Sequence, residues 1–471
     1  MKKEKQNNDM KKINLSYATD RLNGVVFNRY QVFVSMIIML CTVCCLLSTN
    51  VFALDAKRNV LSNGLVVLHS ENHSLPVIMV TLIVKAGQSD ELKEKAGLAN
   101  LLSELLTEGT EKRKSKDISE EIDFIGASLD ASAGGDYTTV TLSVLKKDIH
   151  KGFDLFSDIL LHPMFPQAEL ERKREQIKGF LKQREEEPSF LAERAFKKEV
   201  FGEHPYGRLI EGYPETIDVI KRDDFVKFHS NYFLPNNSIL SVAGDLTSYE
   251  LDALMNQYLA EWKPHGLVKK DRGRPDEKKI KKVIKIDKDL TQANIILGNP
   301  GISRDNPDYY AAGIMNYIFG GGGFSSRLMH SIREKMGLAY DVHSFFAAYK
   351  EGGSFQIGLQ TKNESANAAI GEILKQAEGI MEEYVSDEEL SDAKAYLTGS
   401  FKRRLDTTRK IADFIASIEF YNLGLDYDKK YPDYINAVTK DDVLRVAKKY
   451  LAAENSVLVV VANQKKAGLK Y

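Results

Sequence analysis

The stretch "DDFVKFHSNYFLPNNSILSVAGD", Asp223 to Asp245, returns later in the chain as "DDVLRVAKKYLAAENSVLVVVAN", Asp441 to Asn463. The two align without a gap at a constant offset, pairing Asp223 with Asp441, Tyr232 with Tyr450, Asn237 with Asn455, Ser238 with Ser456 and Leu240 with Leu458. Each copy reads as a short helix running into a strand, and self-similarity at long spacing signals a duplicated unit. Between the copies lies "KPHGLVKKDRGRPDEKK", Lys263 to Lys279, which is charged, broken by Pro and Gly, and poor in apolar residues, as a linker is. The chain therefore divides into residues 1–53, a first domain over 54–262, a linker over 263–279 and a second domain over 280–471.

Local patterns set the fold class. In "NVLSNGLVVLHSENHSLPVIMVTLIVKAG" (Asn59 to Gly87), Asn63-Gly64 predicts a hairpin turn and the Val/Ile/Leu runs predict strands. "DYTTVTLSVL" (Asp136 to Leu145) alternates like a half-buried strand, and the segments Ile149 to Leu161 and Ala168 to Gln183 have helical periodicity. The expected architecture is α+β: two homologous domains, each a mostly antiparallel sheet with helices packed on one face, together forming half of a clamshell.

Composition narrows the function. With 43% hydrophobic residues, 28% charged and a net charge of -1, nothing points to a nucleic-acid binder or a multi-span membrane protein. The basic N-terminal region followed by "VFVSMIIMLCTVCCLLSTNVFA" (Val32 to Ala53) reads as an export signal with a small-residue cleavage site at Val51-Phe52-Ala53; an internal start at Met10 or Met36 would shorten its long leader. The alternative is an uncleaved anchor over residues 32–53. Both place the body outside the cytoplasm, in the periplasm. All three cysteines, Cys41, Cys44 and Cys45, fall inside that run, so the body has no disulfide, zinc thiolate or cysteine nucleophile.

The chemistry is concentrated in "GLANLLSELLTEGT", Gly97 to Thr110. Leu98, Leu101, Leu102, Leu105 and Leu106 make a buried helical stripe, while Asn100, Ser103 and Glu104 share the other face. This stretch resembles the helix that carries His-x-x-Glu-His in the pitrilysin, or insulinase-type, zinc peptidase family. "GEHPYGRLIEGYPETI", "NYFLPNNSILSVAGD", "GGGGFSSRLMHSIREKMGLAYDV" and the two-domain repeat resemble that family as well. At the motif positions this chain has Asn100, Ser103 and Glu104 instead. An amide is a poor zinc ligand and a hydroxyl too weak a base to deprotonate metal-bound water. The resemblance implies a third ligand, a glutamate about seventy-five residues further on; counting gives Phe180 or Leu181, in an apolar stripe with Ile177 that is expected to pack, with Glu175 and Glu185 to Glu187 on a solvated face. His69 and His73, in a strand-turn context, read as neutral surface histidines. No metal is expected in this chain.

In the second half, Arg333 and Tyr340 match positions where the family carries an arginine and a tyrosine. The resemblance implies that this pair reaches across a closed chamber to the peptide held at the zinc of an opposing domain; a guanidinium and a phenol can stabilise a developing oxyanion there. Gly320, Gly321, Gly322 and Gly323 read as a substrate-binding loop lining the chamber or as a plain turn. The edge segment "GASLDASAGGDYTTV" is a candidate for pairing with an extended peptide, or an ordinary sheet edge. The expectation is a non-catalytic subunit of an exported two-chain zinc peptidase, whose partner, a His-x-x-Glu-His homologue, supplies the zinc. Competing readings are an inactive peptide-binding or assembly protein of the same fold, and a self-sufficient peptidase with a rearranged site.

Overall fold

The computed structural model describes residues 54–267, 272–276, 280–452 and 454–471, and residues 54–471 form one compact unit. The export segment and its anchor alternative lie outside the described residues. No helix among the described residues is long and apolar enough to cross a membrane.

The first half contains β1 (Lys57–Val60), β2 (Val66–Glu71), β3 (Val77–Val84), α1 (Leu98–Leu105), α2 (Ser115–Phe124), β4 (Ser128–Ala133) and β5 (Thr138–Leu145). It continues through α3 (Ile149–Leu161), α4 (Gln167–Arg184), α5 (Pro188–Phe201), α6 (Pro214–Val219), α7 (Arg222–Tyr232), β6 (Ser238–Gly244) and α8 (Ser248–Tyr258). The second half contains β7 (Lys281–Asp287), β8 (Gln292–Pro300), α9 (Tyr309–Asn316), β9 (Ala339–Ala348), β10 (Gly353–Lys362) and α10 (Ala366–Glu382). It closes with α11 (Asp387–Phe401), α12 (Thr408–Phe420), α13 (Tyr427–Asn436), α14 (Lys440–Tyr450), β11 (Ser456–Ala462) and α15 (Gln464–Ala467).

The duplication predicted from the two aligned stretches is present element by element: α7 leads into β6 as α14 leads into β11. The sheets run β1-β2-β6-β3-β5-β4 and β7-β11-β8-β10-β9, with β2 beside β6 and β7 beside β11 as the parallel pairs and every other neighbour antiparallel. The Asn63-Gly64 turn forms, with Gly64 at φ +84°, and joins β1 to β2 in register.

The α+β architecture with helices packed on a sheet face is present in each half, and each half in addition lends a helix to the other face of its partner sheet. From the first half, α5 lies on β11 and β8, where Leu191, Ala192, Phe196 and Val200 pack with Val457, Val459 and Val461. From the second, α12 lies on β6 and β3, where Ala412 packs with Met79 and Ala243. Ser241 donates to the Ala412 carbonyl (2.7 Å) and Thr81 to Asp413 (2.7 Å) across the same contact. Covered on both faces, β6 and β11 are apolar and buried almost throughout, as central strands with two packed faces must be. The linker is tied down as well: Arg272 donates to Asp90 (2.6 Å) and to the Lys85 carbonyl (3.2 Å).

Candidate functional site

The helix α1 is held at its N-terminus by the motifs around it. Glu91 accepts from the backbone N–H groups of Gly97 (3.0 Å) and Ala99 (2.6 Å), satisfying donors that a helix start leaves orphaned. Gly97 sits at φ +97°, and a side chain there would meet the Glu211 carbonyl at 2.6 Å, so glycine is required for the 202–217 loop to approach. Thr216 of that loop donates to the Ala96 carbonyl (2.7 Å). Burial pushes the Glu91 carboxyl up to about 8 against the two N–H donors that pull it down.

On the polar face of α1, the side chains are engaged with one another. The Asn100 amide donates to Glu104 (3.2 Å), and the Ser103 hydroxyl, almost fully buried, donates to the Asn100 carbonyl (2.7 Å). A lysine from α4 then closes the site: Lys173 stands 3.6 Å from Glu104 and 3.0 Å from Glu108, with Arg172 on Glu108 at 2.7 Å. Burial would raise the Glu108 carboxyl, but bonds from Ser115, Lys173 and Arg172 outweigh it and hold the group below its ordinary range. A zinc ion does not fit this donor set. Its carboxylate is already paired with an ammonium, its hydroxyl faces a carbonyl, and its amide is a poor ligand. Among the described residues no group of three His, Cys, Asp or Glu side chains is placed to hold a metal ion.

Two positions differ from expectation near this face. Leu181 and Ile177 are buried as expected, but Phe180 is 43% exposed and carries the Arg184 guanidinium 5.5 Å from its ring centroid. Helical spacing puts Phe180 beside the buried stripe, but α6 and α1 cover only part of α4, leaving that ring outside. His69 is buried rather than superficial: it bonds the Leu246 carbonyl (2.9 Å) and Ser248 (3.2 Å), partners far away in sequence, and burial lowers its pKa. His73 is at the surface, between Asp245 and Glu71.

Arg333 and Tyr340 are brought together. Arg333 lies in a π-helical segment, Met329–Lys335, whose end is turned back by Gly337 at φ +61° so that β9 begins two residues later. The Arg333 guanidinium carbon is 4.5 Å from the Tyr340 ring centroid and 4.7 Å from that of Phe324. Two aromatic faces thus hold the cation. Tyr340 is 83% exposed, and no hydrogen bond or ion pair engages the Arg333 guanidinium among the described residues. Phe324 escaped the sequence reading, because nothing in its spacing links it to Arg333.

Gly320 and Gly321 end a π-helical segment, Tyr317–Gly321, and Gly323 opens the one-turn helix Gly323–Ser325 that carries Phe324. A side chain on Gly320 would meet Ser344 Oγ at 2.5 Å and Leu328 at 2.9 Å, one on Gly321 would collide with the Asn316 amide, and Gly323 adopts φ +58°. The segment "GASLDASAGGDYTTV" includes β4, which is an edge of its sheet beside α1.

Fold and site together define a duplicated peptidase-type chain whose metal-site helix lacks metal donors while its second half keeps an accessible Arg-Tyr pair. The family model described as insulinase (peptidase family M16) matches residues 66–213, and that described as peptidase M16 inactive domain matches residues 220–397. A Rickettsia bellii protein called an uncharacterized zinc protease is 30% identical, over 73% of this chain and 82% of its own length. A Helicobacter pylori protein called non-peptidase homolog YmxG is 27% identical, over 85% of this chain and 92% of its own. Among solved structures, a peptidase M16 inactive domain from Pseudomonas fluorescens superposes with a TM-score of 0.81 at 28% identity, covering 87% of this chain and 98% of that one. The chain belongs to the insulinase family, peptidase family M16, and is a non-catalytic member of it.

Proposed function

We propose that this chain is the non-catalytic subunit of an exported, periplasmic two-chain zinc peptidase. Its partner is a homologous His-x-x-Glu-His subunit that holds the zinc; this chain contributes Arg333, Tyr340 and half of the chamber wall. The observation that carries the reading is the asymmetry between the two halves. On α1 the side chains of Asn100, Ser103 and Glu104 are each engaged with a neighbour, whereas the half-buried Arg333 guanidinium and the exposed Tyr340 phenol are assembled against each other with no hydrogen bond of their own among the described residues. A positioned cation and a phenolic donor stabilise negative charge that develops on a scissile carbonyl, and they do so without a metal of their own.

The test is peptide hydrolysis by residues 54–471, assayed alone and as purified with whatever chain accompanies it from its native extract. The expected result is activity only in the accompanied sample, abolished by a chelator. Zinc-dependent hydrolysis by the lone chain would refute the reading. No hydrolysis in either sample would favour a proteolytically inactive peptide-binding or assembly protein.

A further inference from the structure

The first sheet carries a polar cavity that neither the polar face of α1 nor the Arg-Tyr pair uses. Helix α12 covers β6 and β3 and leaves β5 and the edge strand β4 beyond it, opening a cavity of about 410 Å³ with the strands as floor and α12 as one wall. Alternation along β5 sends Val140, Leu142 and Val144 into the core and Thr139 and Thr141 to the opposite side, so the floor is built of two cross-strand rows. Asp130, Thr141 and Thr81 stand side by side in one row, and Ser132, Thr139 and Ile83 in the next. Arg409 and Asp413, one turn apart on α12, and Tyr137 complete the lining. The Tyr137 ring is fixed edge-on against Phe420, with centroids 4.7 Å apart. Much of this polar surface has no protein partner. Thr81 donates to Asp413 (2.7 Å), and Ser132 and Thr139 share a hydrogen bond (2.9 Å). The side chains of Asp130, Thr141 and Arg409 and the Tyr137 hydroxyl make no hydrogen bond or ion pair among the described residues. Arg409 and Asp413 have the helical spacing at which opposite charges pair, yet they stay apart. A concave site with convergent, unengaged polar groups is the usual form of a ligand site.

We propose that this cavity binds a neutral saccharide of one or two rings. The lining argues against the other classes. Its apolar surface is confined to Ile83 and the Tyr137 ring, too little to hold a lipid or a large aromatic ligand. Its charges are two carboxylates, Asp130 and Asp413, against the single Arg409 guanidinium, a balance that repels a phosphate or another anion. Among the described residues no group of three His, Cys, Asp or Glu side chains is placed to hold a metal ion. An extended peptide would take main-chain bonds from the free edge of β4 rather than from side chains on the face of the sheet. A saccharide fits the same lining directly. Each of its hydroxyls donates one bond and accepts others, which is what a floor of serine and threonine hydroxyls also does. Neighbouring strands stand about 4.8 Å apart and the two rows about 6.8 Å, so the floor spreads its groups over the area of one sugar ring and its substituents. Asp130 and Asp413 are acceptors for ring hydroxyls, and Arg409 is a donor to a hydroxyl or a ring oxygen. Bonds with one charged partner are the strong ones. The Tyr137 hydroxyl supplies a further donor at the end of the cavity.

The experiment is isothermal titration calorimetry of residues 54–471 with cellobiose, maltose and N,N′-diacetylchitobiose. Saturable binding of at least one of the three, with a Kd of about 1 mM or below, is expected. Two substitutions place that binding in the cavity. Asp130→Ala, at an exposed position on the edge strand, removes a carboxylate acceptor. Thr141→Val keeps the shape of the side chain and removes only its hydroxyl. Each is expected to weaken the affinity about tenfold, the effect of losing one hydrogen bond to the ligand. No saturation by any of the three disaccharides would overturn the proposal, and so would an affinity unchanged in either variant. Saturable binding of tetra-alanine that is weakened by the same two substitutions would overturn it as well, since the floor would then recognise a peptide.

Discussion

At the scale of single residues, Arg333 is the position on which most depends, and its surroundings predict a graded series. In the proposed complex, Arg333→Ala or Tyr340→Phe would remove a group placed to meet the substrate carbonyl. Loss of one such donor costs roughly 100- to 1000-fold in rate, so hydrolysis by the two-chain complex should fall by that factor. Phe324 meets Arg333 through a cation–π contact, 4.7 Å from its guanidinium carbon. An exposed cation–π contact contributes about 0.5–1 kcal/mol, so Phe324→Ala should lower activity only about two- to fivefold. Steady-state rates of the three variants with one peptide check the order. A Phe324→Ala loss as large as that of Arg333→Ala would mean that the aromatic ring itself meets the substrate.

At the scale of elements, the exchange of α5 and α12 between the sheets couples the two halves, and Phe196 is its centre. Its ring is fully buried, and it lies so close to Gly298 that a side chain there would meet it at 2.8 Å. Truncating a buried phenylalanine costs about 3–5 kcal/mol, and here the loss falls on the contact between halves. In urea, the fluorescence of Trp262, the single tryptophan and a first-half residue, should unfold together with the far-ultraviolet circular dichroism of the native chain. In Phe196→Ala the two transitions should separate; coincident curves and a loss below about 1 kcal/mol would show that the halves are not coupled there. The same contact marks where sequence reasoning stops. The repeat, its helix-to-strand order and the ends of α3 follow from local periodicity, because periodicity reports which residues share a face. It does not report which sheet that face meets. The stripes of α3 and α4 were thus legible while the exchange of α5 and α12 was not. Lys173 on Glu104, the exposed ring of Phe180 and the buried ring of His69 were missed for the same reason, their partners being distant in sequence. Arg333 and Tyr340 were legible only through the family resemblance of the stretch that holds them.

At the scale of the whole molecule, two buried titratable groups of the first half give stability a calculable shape in pH. Glu91 is pushed up to about 8 from an ordinary 4.5, chiefly by burial. Between those values the folded protein keeps a proton that the unfolded chain has released, so stability falls as pH rises from about 4.5 to 8. His229, its Nε2 bonded to the Leu160 carbonyl at 2.8 Å, is pushed down by burial to about 4 from 6.5. There the unfolded chain takes up the extra proton, so stability falls as pH drops from about 6.5 to 4. Where the two windows overlap, between about 4.5 and 6.5, the Glu91 and His229 slopes oppose one another, while burial also lowers the pKa of His69 and His204 and so adds to the histidine slope. Above pH 6.5 the Glu91 slope remains, and one pKa unit corresponds to about 1.4 kcal/mol, so Glu91 contributes a decline on the order of 2 kcal/mol between pH 6.5 and 8, in the same direction as His73, whose pKa Asp245 and Glu71 raise. Urea midpoints measured across that range should fall more steeply in the native chain than in Glu91→Gln, whatever the absolute stability of the variant. Parallel slopes in the two proteins would mean that Glu91 is already ionised in the fold, held so by the N–H groups of Gly97 and Ala99 at the start of α1.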